Sequence, residues 1–445
     1  MKRKLKEAFI KIKSNDFWRK LFKNSFYAIM GEGGSSVINL FVVFLLIKLL
    51  GNDKYAILVL AQSYMSILDL IINLQSWQSV IKFGEEMRVK NKIDRYLEYI
   101  KLGTILDVST ALLCGIISFF IAPLVGSLFN WSRELIVCCQ IFTAEIYFHF
   151  SGTPIAVLRL ENKFNLVALQ KIISAAIKLI TLLVIVFMTP KMSLIVAVII
   201  YVATDIISHL ILVVMFFSVV HRKWGIKKLF KSKIPQNKGE FIKYTIWCTL
   251  GDTVDIPVLY LDVFVVSALK LELVTVFKVF KQIMSILSKL ASPIYQAIFP
   301  QFSTLVAKGE FKRGYDAVIR IRNAVYKYFI PLIILVGLSS PIWLKVIFGE
   351  LFSQYWYVLF IYLIVHTYAL SYTTIHPYFT ALGKVKEGFI ICLIANIVYL
   401  GLALLLTKHI GMIAIVISYT VQILIVILTK KKIIKKEIDS NDVKL

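Results

Sequence analysis

An all-α protein that crosses a membrane about twelve times is the fold class the sequence predicts, and three observations predict it. Of 445 residues, 58% are hydrophobic and only 17% charged, with a mean hydropathy of +0.78. So few polar residues cannot cover a globular surface. The apolar residues gather in runs of about 20, the length that carries a helix across the hydrocarbon core. The formal charge of +25, from 51 Lys+Arg against 26 Asp+Glu, sits between those runs rather than on one polar domain. A nucleic-acid partner would call for a basic patch on a folded face, so none is expected. The lipid bilayer is the partner the pattern implies.

The elements follow in order. Residues 1–24 are basic and lack both a long apolar core and a small-residue cleavage site, so they are not expected to be a cleaved signal peptide. There Phe9, Ile12, Phe17, Leu21 and Phe22 alternate with Lys and Arg, as in an amphipathic helix lying on the inner leaflet. Spans are expected at 25–49, 56–75, 100–128, 135–158, 166–188 and 193–219, forming a first six-helix bundle over 25–219. A basic linker, 220–240, precedes spans at 241–269, 273–299, 325–348, 356–381, 389–406 and 410–428. These make a second six-helix bundle over 241–430, followed by a basic tail, 431–445. Punctuation such as Gly51-Asn52, Thr189-Pro190 and Gly383-Lys384 falls between spans.

Charge sets the topology. Segments on the inner side by this count hold most of the basic residues, while the outer side holds only Lys48, Lys54, Arg133, Lys191, Lys270, Lys345 and Lys408. Both termini are therefore expected in the cytoplasm. The halves echo each other: Met65-Ser66-Ile67-Leu68 on the second span recurs as Met284-Ser285-Ile286-Leu287 on the eighth. That placement favours a six-plus-six repeat. Short outer loops leave no room for an extracytoplasmic catalytic domain. Phosphate-cradling loops, metal-ligand spacings and nucleophile triads are missing from the sequence. Neither an enzyme nor a cofactor is expected. The five cysteines lie in apolar runs and read as buried small side chains.

Ionisable residues at bilayer depth are costly, and they mark a cavity or a partner. On the seventh span Asp252, Asp255 and Asp262 are spaced to share a face, and Lys278, Lys281 and Lys289 share roughly one face of the eighth. Counting from the turn near Lys270 matches Asp262 with Lys278 in depth, and Asp252 with Lys289. Structural ion pairs and a hydrated cavity for an anionic head group are both open readings; Lys289, deepest in its helix, is the sharper cavity candidate. The first half adds Glu32, Asp69, Asp107 and Lys178. Glu145 with His149, and Asp205 with His209, are acid–histidine pairs at i,i+4 that suit either helix packing or proton coupling.

Several stretches carry a resemblance. They are Leu50-Gly51-Asn52-Asp53-Lys54-Tyr55-Ala56, Trp77 to Phe83, and the turn Arg159-Leu160-Glu161-Asn162-Lys163-Phe164. Phe299-Pro300, Ala381-Leu382-Gly383-Lys384 and Gly411 to Ala414 complete the set. On these the chain resembles the polysaccharide repeat-unit flippases (Wzx-type) of the MOP flippase superfamily, which also holds the MATE antiporters. The family often has Tyr-Gly where this chain has Tyr55-Ala56. The resemblance implies two six-helix bundles around a cavity lined by the first, second, seventh and eighth helices. Within it, Glu32, Asp69, Asp252, Asp255, Lys278, Lys281 and Lys289 would line that cavity. It also implies a flippase of the bacterial inner membrane that moves a polyprenyl-pyrophosphate-linked oligosaccharide for O-antigen or capsule synthesis by alternating access. Glycan polymerase or assembly proteins would be partners, and H+ or Na+ a coupling ion. A MATE-like cation antiporter is the rival of the same fold, although three lysines on the eighth span argue against a cation site. A membrane enzyme of a glycan pathway is the rival of another class.

Overall fold

A computed structural model describes residues 16–442, and these are helical from end to end with no strand among them. Phe9 and Ile12 of the expected surface helix lie outside the described residues. From Asp16 the chain is already in its first helix, α1 (Asp16–Leu50), so the stretch 16–24 is continuous with the helix whose apolar part, Phe26–Leu50, is long enough to cross a membrane. Then come α2 (Asn52–Ile72), α3 (Trp77–Val89), α4 (Ile93–Leu128), α5 (Arg133–Ile146), α6 (Gly152–Leu160), α7 (Phe164–Met188) and α8 (Leu194–Lys223). A short α9 (Ile226–Lys231) leads to α10 (Lys238–Thr253), a π-helical turn (Pro257–Leu261), α11 (Asp262–Ser267) and α12 (Leu271–Ala307). The chain ends with α13 (Phe311–Leu338), α14 (Ser340–Phe348), α15 (Glu350–Gln354), α16 (Trp356–Ser371), α17 (Ile375–Ala381), α18 (Val385–Ile410) and α19 (Ile413–Asp442). Among the described residues nine helices are long and apolar enough to cross a membrane. Phe187 and Val346, 89% and 80% exposed, are faces that water would penalise and lipid would not.

Turns form where the sequence permits them. Gly51 joins α1 to α2 at φ 78°, a left-handed conformation that a side chain would strain. α1 packs most extensively on α7. At Gly31 a Cβ would meet the Ala168 Cα at 2.6 Å, so two small residues let the backbones approach.

Four expected spans are interrupted: 325–348 turns at Ser339, 356–381 turns at 372–374, and the breaks in 135–158 and 241–269 each have a clear physical cause. The span 135–158 breaks between α5 and α6. There the Asp107 carboxylate accepts the Ser76 amide at 2.8 Å and the Thr153 amide at 2.6 Å. Those amides would otherwise be orphaned at the helix start. The span 241–269 loosens into the π turn at Pro257, which has no N–H to return to the preceding turn. The expected linker is likewise no free loop: Lys101 Nζ donates to the Phe230 and Ser232 carbonyls at 2.8 and 2.7 Å, docking α9 on α4.

Packing is lopsided along the membrane normal. One large apolar core at the end bearing the Gly51 and Lys270 turns joins both halves of the chain, with Leu46, Tyr55 and Phe142 beside Val266, Phe277 and Leu359. There the Thr275 hydroxyl donates to the Asn52 carbonyl at 2.7 Å. At the opposite end the cores are separate, one around Tyr96, Leu97 and Phe216 and another around Phe302, Tyr378 and Ile427. The segment from α10 to α11 runs from the first of these cores into the large joined one. Its Phe241 packs on Phe83 and Tyr99 of the first half. Beyond the π turn, α11 packs instead on α18 of the second half.

Candidate functional site

Three groups of charged side chains lie among the spans, and each rests on a helix break or a close helix approach. The first group is enclosed by the first half. Asp69, at the end of α2, has its Oδ2 2.7 Å from His149 Nδ1 and takes the Asn73 amide on Oδ1 at 2.9 Å. Lys178 on α7 donates to both oxygens of Asp205 on α8, at 2.7 and 2.8 Å, while its ammonium stands 3.4 Å from the Tyr201 ring centroid. His209 Nε2 is 3.7 Å from Glu145 Oε1, its Nδ1 is 3.1 Å from the Ser151 hydroxyl, and its ring packs on His149 at 4.6 Å. Glu145 Oε2 is buried and makes no hydrogen bond among the described residues.

The structure brings all four expected acid–histidine residues together but exchanges their partners. Helix α5 ends at Ile146, so His149 leaves the face of Glu145 and turns to Asp69. Asp205 is occupied by Lys178, which leaves His209 to Glu145. Asp107 is a structural residue at the α5–α6 break and no part of this group.

The second group surrounds the π turn. Asp262, fully buried, takes the Lys281 ammonium on both oxygens at 2.7 and 2.8 Å and the Tyr399 hydroxyl at 3.2 Å. Lys281 also donates to the carbonyls of Val258 and Leu259 at 2.9 and 2.8 Å, oxygens that the widened turn presents sideways. Asp255 accepts the Asn396 amide at 3.0 Å, and Asp252, exposed on α10, stands beside Gln78 of α3 within electrostatic reach of Asp255. Lys278 makes no hydrogen bond or ion pair among the described residues. Residues matched in depth are not partners here: Asp262 pairs with Lys281 and not Lys278, and Lys289 reaches helix α1 and not Asp252. A π turn inserts a residue into the helical register, so positions beyond it rotate out of the face they would share.

The third group opens toward the end where the cores separate. A cavity of about 520 Å³ lies between α1, α3, α6 and α7, lined by Glu32, Trp77, Arg159, Phe164 and Lys171. The Lys171 ammonium donates to Glu32 Oε1 at 2.9 Å, and the Arg159 guanidinium stands 5.2 Å from the Trp77 ring centroid. Lys289 of α12 joins from the second half, donating to the Ser36 hydroxyl at 2.6 Å within electrostatic reach of Glu32. Ser36 in turn donates to the Glu32 carbonyl at 2.7 Å. Cations on a cavity wall with an aromatic face beside them suit a phosphorylated, sugar-bearing ligand. Arg159 and Lys171 escaped the sequence reading. Arg159 counts as one more inner-loop charge, and Lys171 sits one turn inside its span. The signal for Lys171 was its spacing of seven from Lys178 on the same helix.

Comparison with known proteins bears on the family and the fold. The family model described as "Polysaccharide biosynthesis protein" matches residues 21–306. The inner membrane protein YghQ of Escherichia coli (strain K12) is 21% identical over 158 residues, 35% of this chain and 43% of that protein, so the alignment spans less than half of its length. Among solved structures, a multidrug resistance MATE family transporter of the MOP superfamily in its inward-facing conformation matches with a TM-score of 0.71 at 11% identity, over 92% of this chain and 95% of that one. The eukaryotic MATE transporter AtDTX14 gives 0.67 at 12%, over 97% and 100%. A MOP superfamily transporter from Pyrococcus furiosus, whose title notes a binding pocket of reversed polarity, gives 0.64 at 13%, over 97% and 98%. The fold is that of the MATE transporters, and the protein is a multi-pass membrane protein.

Proposed function

Because this chain belongs to the polysaccharide biosynthesis protein family, whose model covers most of it, we propose that it is a flippase for a polyprenyl-pyrophosphate-linked oligosaccharide repeat unit. It acts in the bacterial inner membrane, in the synthesis of a surface polysaccharide such as O-antigen or capsule. As a transporter it makes and breaks no covalent bond. The observation that carries this reading is the cavity in which Trp77 stands beside Arg159 and Lys171, with Lys289 of the other half reaching the neighbouring turn of α1 at Ser36.

A pyrophosphate-linked glycan cannot cross hydrocarbon unaided, since every charge and hydroxyl would lose its water. Arg159, Lys171 and Lys289 replace that water for the phosphates. Trp77 offers a flat face for a sugar ring, and the polyprenyl tail stays in lipid. A cavity of about 520 Å³ falls in the range of about 300–1,000 Å³ that holds small-molecule ligands. Alternating access follows from the lopsided cores: the joined end parts, and the separate cores close.

The drive in this reading is a proton held by the first-half cluster. Asp69 has His149, and Asp205 has Lys178. Glu145 and His209 remain, with one proton to share between a buried carboxylate oxygen and an imidazole. Asp69, His149, Lys178, Asp205 and Tyr201 all face that pair, and Lys178 already neutralises Asp205.

A cation or drug antiporter of the same fold is the rival, favoured by the names of the structural neighbours. A cation would be repelled from a cavity with more lysine and arginine than carboxylate. The deciding experiment reconstitutes the protein in liposomes with a polyprenyl-pyrophosphate oligosaccharide and follows glycan exposure to an impermeant oxidant. Exposure that Lys171→Gln abolishes, with normal insertion, supports the flippase. No glycolipid movement under any ion gradient, together with uptake of small organic cations, replaces it with the antiporter.

A further inference from the structure

The third group of charges is unbalanced in an informative way. Three cations, Arg159, Lys171 and Lys289, converge on one carboxylate, Glu32, and act on it together. Only Lys171 touches it, at 2.9 Å. Arg159 and Lys289 form no ion pair of their own among the described residues. The Glu32–Lys171 pair is about one-third exposed, at 31% and 34% of each side chain, so it is reachable from the cavity it lines. The backbone beside it is fixed, because Gly31 is pressed against Ala168. The carboxylate, at the end of two rotatable methylenes, is the part that can leave.

Resting on the flippase reading above, we propose that Glu32 is a built-in stand-in for the substrate. Its carboxylate occupies the anion position among Arg159, Lys171 and Lys289 when the cavity is empty, and the pyrophosphate of the lipid-linked glycan displaces it. The chemistry is plain competition. A carboxylate brings one negative charge and two acceptor oxygens to Lys171. A pyrophosphate diester brings two charges and more acceptors, enough to engage the two cations that Glu32 leaves unpaired. Binding therefore exchanges a weak intramolecular anion for a stronger one. On the other face of the membrane Glu32 returns to Lys171 and expels the product. Without such a competitor, two cations on the cavity wall and a third beside it would hold a pyrophosphate too long for rapid turnover.

The test measures binding and flipping in the same variants. Geranylgeranyl pyrophosphate is titrated onto detergent-solubilised full-length protein, wild type and Glu32→Gln, with Lys171→Gln and the double variant as partners. Phosphatidylglycerol is the competitor. Removing one charged competitor is expected to tighten binding by about tenfold, the size of one charge-assisted contact. Glu32→Gln should then flip more slowly while binding more tightly, and the gain should vanish in the double variant. If the wild type binds and flips but Glu32→Gln binds no tighter, the stand-in is wrong and the flippase reading is untouched. If phosphatidylglycerol displaces the probe at equal concentration, the site is a general phosphate site and the pyrophosphate assignment falls. If no variant binds the probe and no glycolipid moves, the flippase reading fails and this inference with it.

Discussion

Lys178 shows how a bilayer changes the arithmetic of a single residue. Its ammonium is almost wholly buried between Asp205 and the Tyr201 ring. Removing one member of such a pair strands the other charge, at a cost of about 3–5 kcal/mol, whereas replacing both by apolar groups is often neutral. Lys178→Met should therefore lower thermal stability in detergent sharply, and Lys178→Met with Asp205→Leu should restore much of it. A double variant no better than the single one would mean that the pair does more than neutralise itself. Glu145 is the opposite case, with an oxygen left over. Glu145→Gln keeps the shape and removes the shared proton. Glycolipid flipping down its own gradient should survive, while acceleration by an imposed pH gradient should disappear; equal acceleration in both proteins would remove Glu145 from the coupling. The charged residues of this first group were legible in the sequence, because ionisable residues at bilayer depth are conspicuous, whereas Lys171 near the end of its span was not. The partners within the first group were not legible either. Asp69 and His149 are 80 positions apart, and Lys178 and Asp205 are 27. Only the packing of α2, α5, α7 and α8 decides which acid meets which base.

At the scale of an element, the helix from α10 to α11 is the instructive one. Its inner part belongs to the core of the first half, while the π turn and its outer part pack on α18 of the second half as well as on α2 of the first. Lys281 holds that turn by covering two free carbonyls and the Asp262 carboxylate at once. Lys281→Met should uncover all three groups and destabilise the protein by about 3–5 kcal/mol, as for any buried pair broken from one side. Pro257→Ala should be much milder, since Lys281 still holds the carbonyls in place. Melting temperatures in detergent separate the two; a Pro257→Ala loss as large as that of Lys281→Met would place the cause of the turn in the proline alone. Here the sequence was legible to a definite depth. Runs of apolar residues mark each span, and Pro257 marks a weak point in one. That the weak point becomes a π turn, with a one-residue rotation of everything beyond it, depends on a lysine 24 positions later in the chain. The same holds for the α5–α6 break, which Asp107 caps from another helix.

For the whole molecule the question is which contacts must part for transport. The apolar core that joins the halves sits at the end of the Gly51 and Lys270 turns, and the Thr275–Asn52 hydrogen bond lies within it. Alternating access requires this seam to open once in every cycle. A covalent bridge across it should therefore stop flipping without disturbing the fold. In a background with the five native cysteines replaced, Asn52→Cys with Thr275→Cys should oxidise to a disulfide, and the bridged protein should expose no glycolipid on the far side. Reduction should restore the rate, which excludes damage as the cause. The bridged protein should still bind a pyrophosphate probe at Arg159 and Lys171, because their cavity lies at the end where the cores are already apart. Full flipping by completely bridged protein would mean that the seam is static. The cycle would then have to run through the α1–α7 groove alone, where the contact of Gly31 with Ala168 leaves little room for movement.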